Sequence, residues 1–248
     1  MTLRPRIVVT GAAKRVGRAI AIELARAGCD LDLTFHLSQD AIESTARTAE
    51  NVAVEAGHSI VVRTHRVDLA DPSATRTLGL ALALDGPVSG VVHNASSYGA
   101  TPLGEVTAES ALRHFRINAL APLLLTQALA DSLRSTNGAV VLFSDIHVLG
   151  RPRRNMLAYS MSKAAATDLV ATLALELAPE VRVNGIAPGV IAWPSEASRD
   201  EIDRYEARIP LGRAGTPEDA ARCVRWLLFD ATYVTGETMR LDGGRWLR

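Results

Sequence analysis

Cysteine is nearly absent. Cys29 and Cys223 stand far apart and in no CxxC or Cys/His spacing, so neither a disulfide framework nor a zinc site is expected, and a reducing cytoplasm is the default compartment. Aromatic residues make up 4% of the chain and hydrophobic residues 48%, which leaves Ala, Val, Leu and Ile to fill the interior, as in parallel sheets covered by helices. Neither sign of charge predominates, with 27 basic and 27 acidic residues, so no overall field draws the chain to a nucleic-acid backbone or an acidic membrane. No apolar run approaches the roughly 18 residues of a membrane span. Residues 1–6 carry two arginines and then enter an apolar strand, without the apolar core of a secretory leader. No GxSxG follows a strand, which sets aside a serine hydrolase. These absences leave a soluble chain whose expected partner is a small molecule, not nucleic acid and not membrane.

What is present is a strand–helix rhythm that never breaks. Strands are expected at residues 6–10, 30–35, 60–66, 88–93, 138–144, 181–186 and 238–241, and helices follow at 20–27, 40–56, 72–84, 109–133, 157–177 and 217–229. Such alternation implies right-handed crossovers and an α/β doubly wound parallel sheet of about seven strands, with ligands beyond the strand carboxyl ends. No linker or repeat divides the 248 residues, so one domain is expected over 1–248, with residues 194–210 as its only long insertion-like segment, within a substrate loop at about 190–212 whose Ser, Glu and Arg content suits an exposed loop or a short helix.

Between the first strand and helix lies Thr10-Gly11-Ala12-Ala13-Lys14-Arg15-Val16-Gly17. Glycines there let backbone N–H groups and a helix N-terminus approach a pyrophosphate. Arg15 takes the place of a middle glycine, and with Lys14 it favours the more highly charged NADPH. The second strand ends in Phe35, His36, Leu37 and Ser38, with no carboxylate to hold a ribose 2′-hydroxyl or repel a 2′-phosphate. The alternative is that His36 and Ser38 only cap the next helix. Asp68 and Leu69 follow the third strand and suit an adenine edge, or in the case of Asp68 a plain helix start.

Tyr159 and Lys163 stand four apart on a long helix, so they share a face. A phenol with pKa near ~10 is a poor acid at neutral pH, and a neighbouring ammonium lowers it. Asn118 in a helix, and Ser144 and Asp145 at a strand end, can complete a proton relay and a substrate-orienting group.

Thr10 to Gly17, His93-Asn94-Ala95-Ser96-Ser97, Asn118, Tyr159-Ser160-Met161-Ser162-Lys163, Val183-Asn184-Gly185, Pro188-Gly189 and Asp242-Gly243-Gly244 together resemble the short-chain dehydrogenase/reductase family over nearly the whole chain. The resemblance implies a Rossmann-type fold and hydride transfer from a nicotinamide. It makes Tyr159 the acid/base, Lys163 a ribose ligand that assists it, and Asn118 the holder of a relay water. Gly11, Val16, Gly17, Asn94, Ala95, Ser96, Pro188, Gly189, Val190 and Ile191 would line the cofactor. A homotetramer assembled partly through the two long helices is also implied.

Within that family the chain is most similar to pteridine reductases and bacterial dihydromonapterin reductases. Three features carry this: Arg15 in the turn, the Asn-Ala-Ser-Ser-aromatic segment ending in Tyr98, and Asp145 where relatives usually have a serine. A pterin is a flat heterocycle that can stack on an aromatic ring such as Tyr98, and its ring nitrogens need a proton source. Arg15, Ser96, Tyr98, Asp145, Tyr159 and Trp193 are the expected substrate residues; as the alternative, Tyr98 is a loop aromatic. Asp145 lies one position further from Tyr159 than the family spacing, so either the 150–155 loop carries an extra residue or Ser144 and Asp145 exchange roles. Leu37 follows His36 where these reductases commonly have an arginine, and Val190-Ile191-Ala192 replaces the usual threonine after Gly189. Arg151, Arg153 and Arg154 suit an acidic substrate tail, a solvated loop or a subunit contact, and His147 lines the pocket or is an ordinary loop histidine. The competing activities are a ketoreductase of the 3-oxoacyl-carrier-protein type or another carbonyl reductase, and a non-catalytic NADPH sensor.

Overall fold

Short runs rich in Val and Ile make strands that are covered on both sides. The computed structural model describes residues 4–193 and 197–248. In chain order these form β1 (Arg6–Val9), α1 (Arg15–Arg26), β2 (Asp30–Phe35), α2 (Gln39–Glu55), β3 (Val62–Arg66), α3 (Pro72–Leu84) and β4 (Gly90–His93). The second half continues with α4 (Ala108–Phe115), α5 (Ala121–Ser135), β5 (Ala139–Phe143), α6 (Leu157–Leu177), β6 (Arg182–Pro188), α7 (Arg199–Glu206), α8 (Pro217–Phe229) and β7 (Thr238–Leu241).

The strands pair in the order β3-β2-β1-β4-β5-β6-β7, all parallel. Successive side chains point to opposite faces, and the core divides accordingly. Ile7, Val9, Val92 and Val141 pack under α1, α2 and α8 with Ile20, Leu24, Ile42 and Val224. Val8, Val91, Val140 and Leu142 pack under α3, α5 and α6 with Leu82, Leu125, Leu129 and Val170. The expected single-domain, doubly wound Rossmann-type sheet is what forms. Its order reverses between β1 and β4, and the crevice for a ligand opens beyond the carboxyl ends of those two strands.

One element differs from expectation. The helix expected at 109–133 is broken by a π turn at Arg116–Leu120. Pro122 follows within the first turn of α5 and has no N–H for the Asn118 carbonyl four residues back, so the α-helical register cannot be kept there. The segment 190–212, of which residues 194–196 lie outside the described residues, contains the short helix α7. Ser198 caps α7 by accepting the Glu201 N–H, and Glu201 reaches back to the Ser198 N–H at 2.9 Å.

Candidate active site

The glycine turn after β1 is held from below by β4. The Asn94 carboxamide donates to the Thr10 and Gly11 carbonyls at 3.0 and 3.1 Å, and the Thr10 hydroxyl accepts the N–H groups of Asn94 and Ala95, both at 3.0 Å. Asn94 therefore braces the turn. A Cβ on Gly17 would lie 2.2 Å from the Gly11 carbonyl oxygen, so the helix can start this close to the turn only without a side chain there. Arg15, in the place of a middle glycine, keeps a left-handed backbone at φ 51°. Its guanidinium crosses the crevice and donates to the Ala192 carbonyl at 2.7 Å. Lys14 is exposed just before α1, while Val16 is half-buried.

A cleft of ≈ 230 Å³ opens beside this turn, lined by Gly11, Phe35, His36, Asp68, Leu69, Ala95, Ser96 and Arg113 among others. His36 Nε2 stands 3.9 Å from the Asp68 carboxylate, whose other oxygen accepts the Ala70 N–H at 2.9 Å. Ser38 occupies the cap position of α2, but its side chain makes no capping bond. Across the crevice, Pro188 ends β6, Gly189 donates to the Leu241 carbonyl at 3.0 Å, and the Val190 carbonyl accepts from Gly215 at 2.9 Å. Ile191 is buried.

Tyr159 and Lys163 sit in the first turns of α6, both buried. The Tyr159 hydroxyl donates to Asp145 Oδ2 at 2.8 Å, and Asp145 Oδ1 accepts the His147 N–H at 2.8 Å. Ser144 points away, its hydroxyl paired with Thr167 on α6. The structure thus brings Asp145, not Ser144, to Tyr159. Gly150 and Asn155, both at positive φ, turn the intervening loop. Lys163 Nζ donates to the Phe143 carbonyl at 2.7 Å. This corrects the expectation that an ammonium lowers the Tyr159 pKa. Burial, then the charge of Asp145 and its hydrogen bond, push the phenol well above its ordinary range, because its immediate partner is a carboxylate. Burial brings Lys163 down to about 8, with Asp145 opposing.

Asn118 lies in the π turn, with all four positions of its carboxamide taken. Oδ1 accepts the Ser97 N–H at 2.8 Å and the Ser96 hydroxyl at 3.1 Å, and Nδ2 donates to the Ser97 carbonyl and Ser162 hydroxyl, both at 2.9 Å. A relay water of the kind the resemblance implies has no free position on this carboxamide. Tyr98 is 61% exposed and meets Tyr159 edge-on, with ring centroids 5.0 Å apart. Trp193 meets Tyr205 of α7 in the same way at 5.3 Å.

A family model described as enoyl-(acyl carrier protein) reductase, of the short-chain dehydrogenase/reductase type, matches residues 11–245. The chain belongs to the short-chain dehydrogenase/reductase family. It is similar to protein FixR of Bradyrhizobium diazoefficiens, 34% identical over 97% of this chain and 86% of that one. It is also similar to L-xylulose reductase of Bos taurus, 33% identical over 96% of this chain and 95% of that one. Among solved structures it resembles a blue fluorescent protein from a metagenomic library in complex with NADPH, with TM-score 0.85, 28% identity and coverage of 99% of each chain. This short-chain dehydrogenase/reductase is therefore an oxidoreductase of a family that uses nicotinamide cofactors. No helix among the described residues is long and apolar enough to cross a membrane, and no group of His, Cys, Asp and Glu among them is placed to hold a metal.

Sequence reasoning missed three site residues of this short-chain dehydrogenase/reductase. Arg113 lines the cleft beside the turn, and His114 packs edge-on against Tyr159 at 6.1 Å. Both sit one helical turn before the Asn118 region, which was the available signal. Tyr205 lies on α7, whose Ser198-x-x-Glu201 pattern was legible. Of the basic cluster, Arg151 donates to the Arg245 carbonyl at 2.5 Å and Arg153 to the Tyr98 hydroxyl at 3.4 Å, while Arg154 is exposed. His147 is tied by Nδ1 to the Arg151 carbonyl at 2.8 Å.

Proposed function

We propose that the protein is an NADPH-dependent reductase of a dihydropterin-type substrate, such as dihydromonapterin, dihydrobiopterin or dihydrofolate, acting at a ring C=N bond. The single observation that carries this reading is the Tyr159–Asp145 hydrogen bond. A ring nitrogen that has taken up a proton is cationic, and a carboxylate beside it favours that form. An alkoxide developing on a ketone oxygen in the same place is opposed by the same carboxylate.

The residues suit a dinucleotide. The braced turn, with a Gly17 position that a Cβ would close, and the adjoining cleft fit a pyrophosphate and an adenosine. When bound, the cofactor supplies the hydride. Lys14 and Arg15 offer positive charge to its phosphates, and the end of β2 carries His36 and Ser38 where an acidic residue would disfavour NADPH. Asp68 and Leu69 would meet the adenine, Lys163 the ribose, and the backbone of Pro188 to Ile191 the carboxamide. Tyr159 donates the proton, Asp145 orients and polarises the heterocycle, and Asn118 holds the Ser96–Ser97 loop after β4 in place. Tyr98 and Trp193 would offer ring faces or edges to the substrate, and Arg15 would serve cofactor phosphate and substrate alike.

A carbonyl reductase is the second reading, favoured by the carbonyl chemistry in the name of the L-xylulose reductase relative. Assaying the purified protein with NADPH and NADH against the three dihydropterins and an acetoacetyl thioester separates the two. Pterin turnover with preference for NADPH is expected; thioester turnover without pterin turnover overturns the reading. The reading also includes a cytoplasmic homotetramer built on the long helices, which expose Leu112, Phe115, Leu123 and Met161. Sedimentation measures the subunit count directly.

A further inference from the structure

We propose that His114 is a positioning residue for proton transfer, holding Tyr159 in place through its own ring edge and through the Ser97 carbonyl. The inference rests on the reading of Tyr159 as proton donor.

His114 is the only buried residue of α4, a place where an aliphatic side chain would suffice for packing alone. Its Nδ1 lies 3.2 Å from the Ser97 carbonyl oxygen. A carbonyl only accepts, so Nδ1 carries the hydrogen and the tautomer is set. The same carbonyl receives Asn118 Nδ2 at 2.9 Å, and the Ser97 N–H goes to Asn118 Oδ1 at 2.8 Å. His114 and Asn118 stand four apart and together grip both polar groups of Ser97. The next residue is Tyr98, whose ring meets Tyr159 edge-on at 77°. The His114 ring meets Tyr159 at 80°. Tyr159 is therefore flanked by one ring that His114 supplies and another that His114 helps to anchor. A swing of the Tyr159 side chain about its Cα–Cβ bond would move its hydroxyl off Asp145, and a displacement of ~1 Å at a reacting group can cost about 100-fold in rate. His114 does not line the cofactor cleft, so its effect belongs to the chemical step.

The test compares His114→Leu, His114→Asn and Tyr159→Phe with the parent protein, using NADPH and dihydrobiopterin, with acetoacetyl thioester as the alternative substrate. His114→Leu should lower kcat about tenfold or more, with KM for the substrate and Kd for NADPH, read by quenching of protein fluorescence, within about threefold. His114→Asn retains an N–H donor near the Nδ1 position but no ring, so it should restore part of kcat, the part carried through the Ser97 carbonyl. If the Leu variant does not fold, as judged by its melting curve, His114→Gln takes its place beside Asn. Parental kcat in His114→Leu, an equal loss in Leu and Asn variants, or a loss confined to KM each overturns the inference. Those outcomes leave Tyr159→Phe inactive. If instead the parent turns over neither substrate, or Tyr159→Phe keeps parental activity, the functional reading itself falls.

Discussion

Tyr159 holds its proton because its hydroxyl faces a carboxylate inside a largely buried site. On the proposed reading of Tyr159 as proton donor, removing that hydroxyl in Tyr159→Phe should lower kcat by about 10²–10⁴-fold, the usual range for a lost general acid, while binding of the nicotinamide cofactor persists. Steady-state kinetics beside a binding titration measure both. Lys163 gives a second expectation. Its amine is charged below about pH 8 and neutral above, so, on the proposed role of Lys163 as a ribose ligand, kcat/KM should be level below that point and decline above it as the positive charge is lost. A profile that stays level well into the alkaline range refutes the assignment. The pairing of Tyr159 with Lys163 was legible because four residues make one helical turn. The sign of the Tyr159 shift was not, because it is set by burial and by the Asp145 carboxylate that packing brings against the phenol, which is a matter of space rather than spacing.

Among the elements, the π turn between α4 and α5 has the closest tie to function, since it presents Asn118 to Ser96, Ser97 and Ser162. Pro122→Ala returns an N–H to the helix and removes the reason for the wider register. The melting temperature should stay level or rise, while kcat falls about tenfold as Asn118 shifts. Equal kcat in the variant would show that the proline does not set the turn. Periodicity alone reads 109–133 as one helix, because a single widened turn leaves the apolar stripe nearly in phase on both sides. Pro122 was the visible mark. At α7, by contrast, the capping pattern at Ser198 and Glu201 was present, but no apolar stripe supported it: none of its residues is buried.

Across the whole molecule, one buried ionic network ties three strands to the end of α3. Arg6 Nε donates to Asp32 Oδ2 at 2.6 Å, His65 Nε2 meets Asp32 Oδ1 at 2.7 Å, and Arg6 Nη2 lies 3.1 Å from Asp85. Arg6 also donates to the Leu82 and Gly86 carbonyls, both at 3.1 Å. Burial would raise the Asp32 pKa, but the hydrogen bonds from His65 and Arg6 and their charges outweigh it and hold the carboxyl below its usual range. A depressed carboxyl stabilises the fold above its unfolded pKa of ~3.9, and that contribution is lost as pH falls through the lower folded value. Asp32→Asn should destabilise by about 3 kcal/mol at neutral pH, by leaving Arg6 partly uncompensated, and should flatten the acid limb of the stability curve. Urea unfolding at several pH values measures both. The alternating Asp-Leu-Asp-Leu-Thr-Phe run of β2 ordinarily marks a strand with one wet face. Here both faces are covered, with Asp32 0% and Thr34 1% exposed, so polar residues within the sheet had to find partners among residues distant in sequence.

The order of strands and helices, the glycine turn, and the Tyr159–Lys163 pair were set by local pattern, because turn geometry and helical period act over a few residues and need nothing else. Which groups meet was decided only when β5, the π turn and α6 packed together: Asp145 on Tyr159 with Ser144 turned to Thr167, His114 and Asn118 on Ser97, Arg15 on the Ala192 carbonyl. Those partners are tens of residues apart or more, or compete for the same space, and packing of both faces of the sheet, not sequence interval, selects among them.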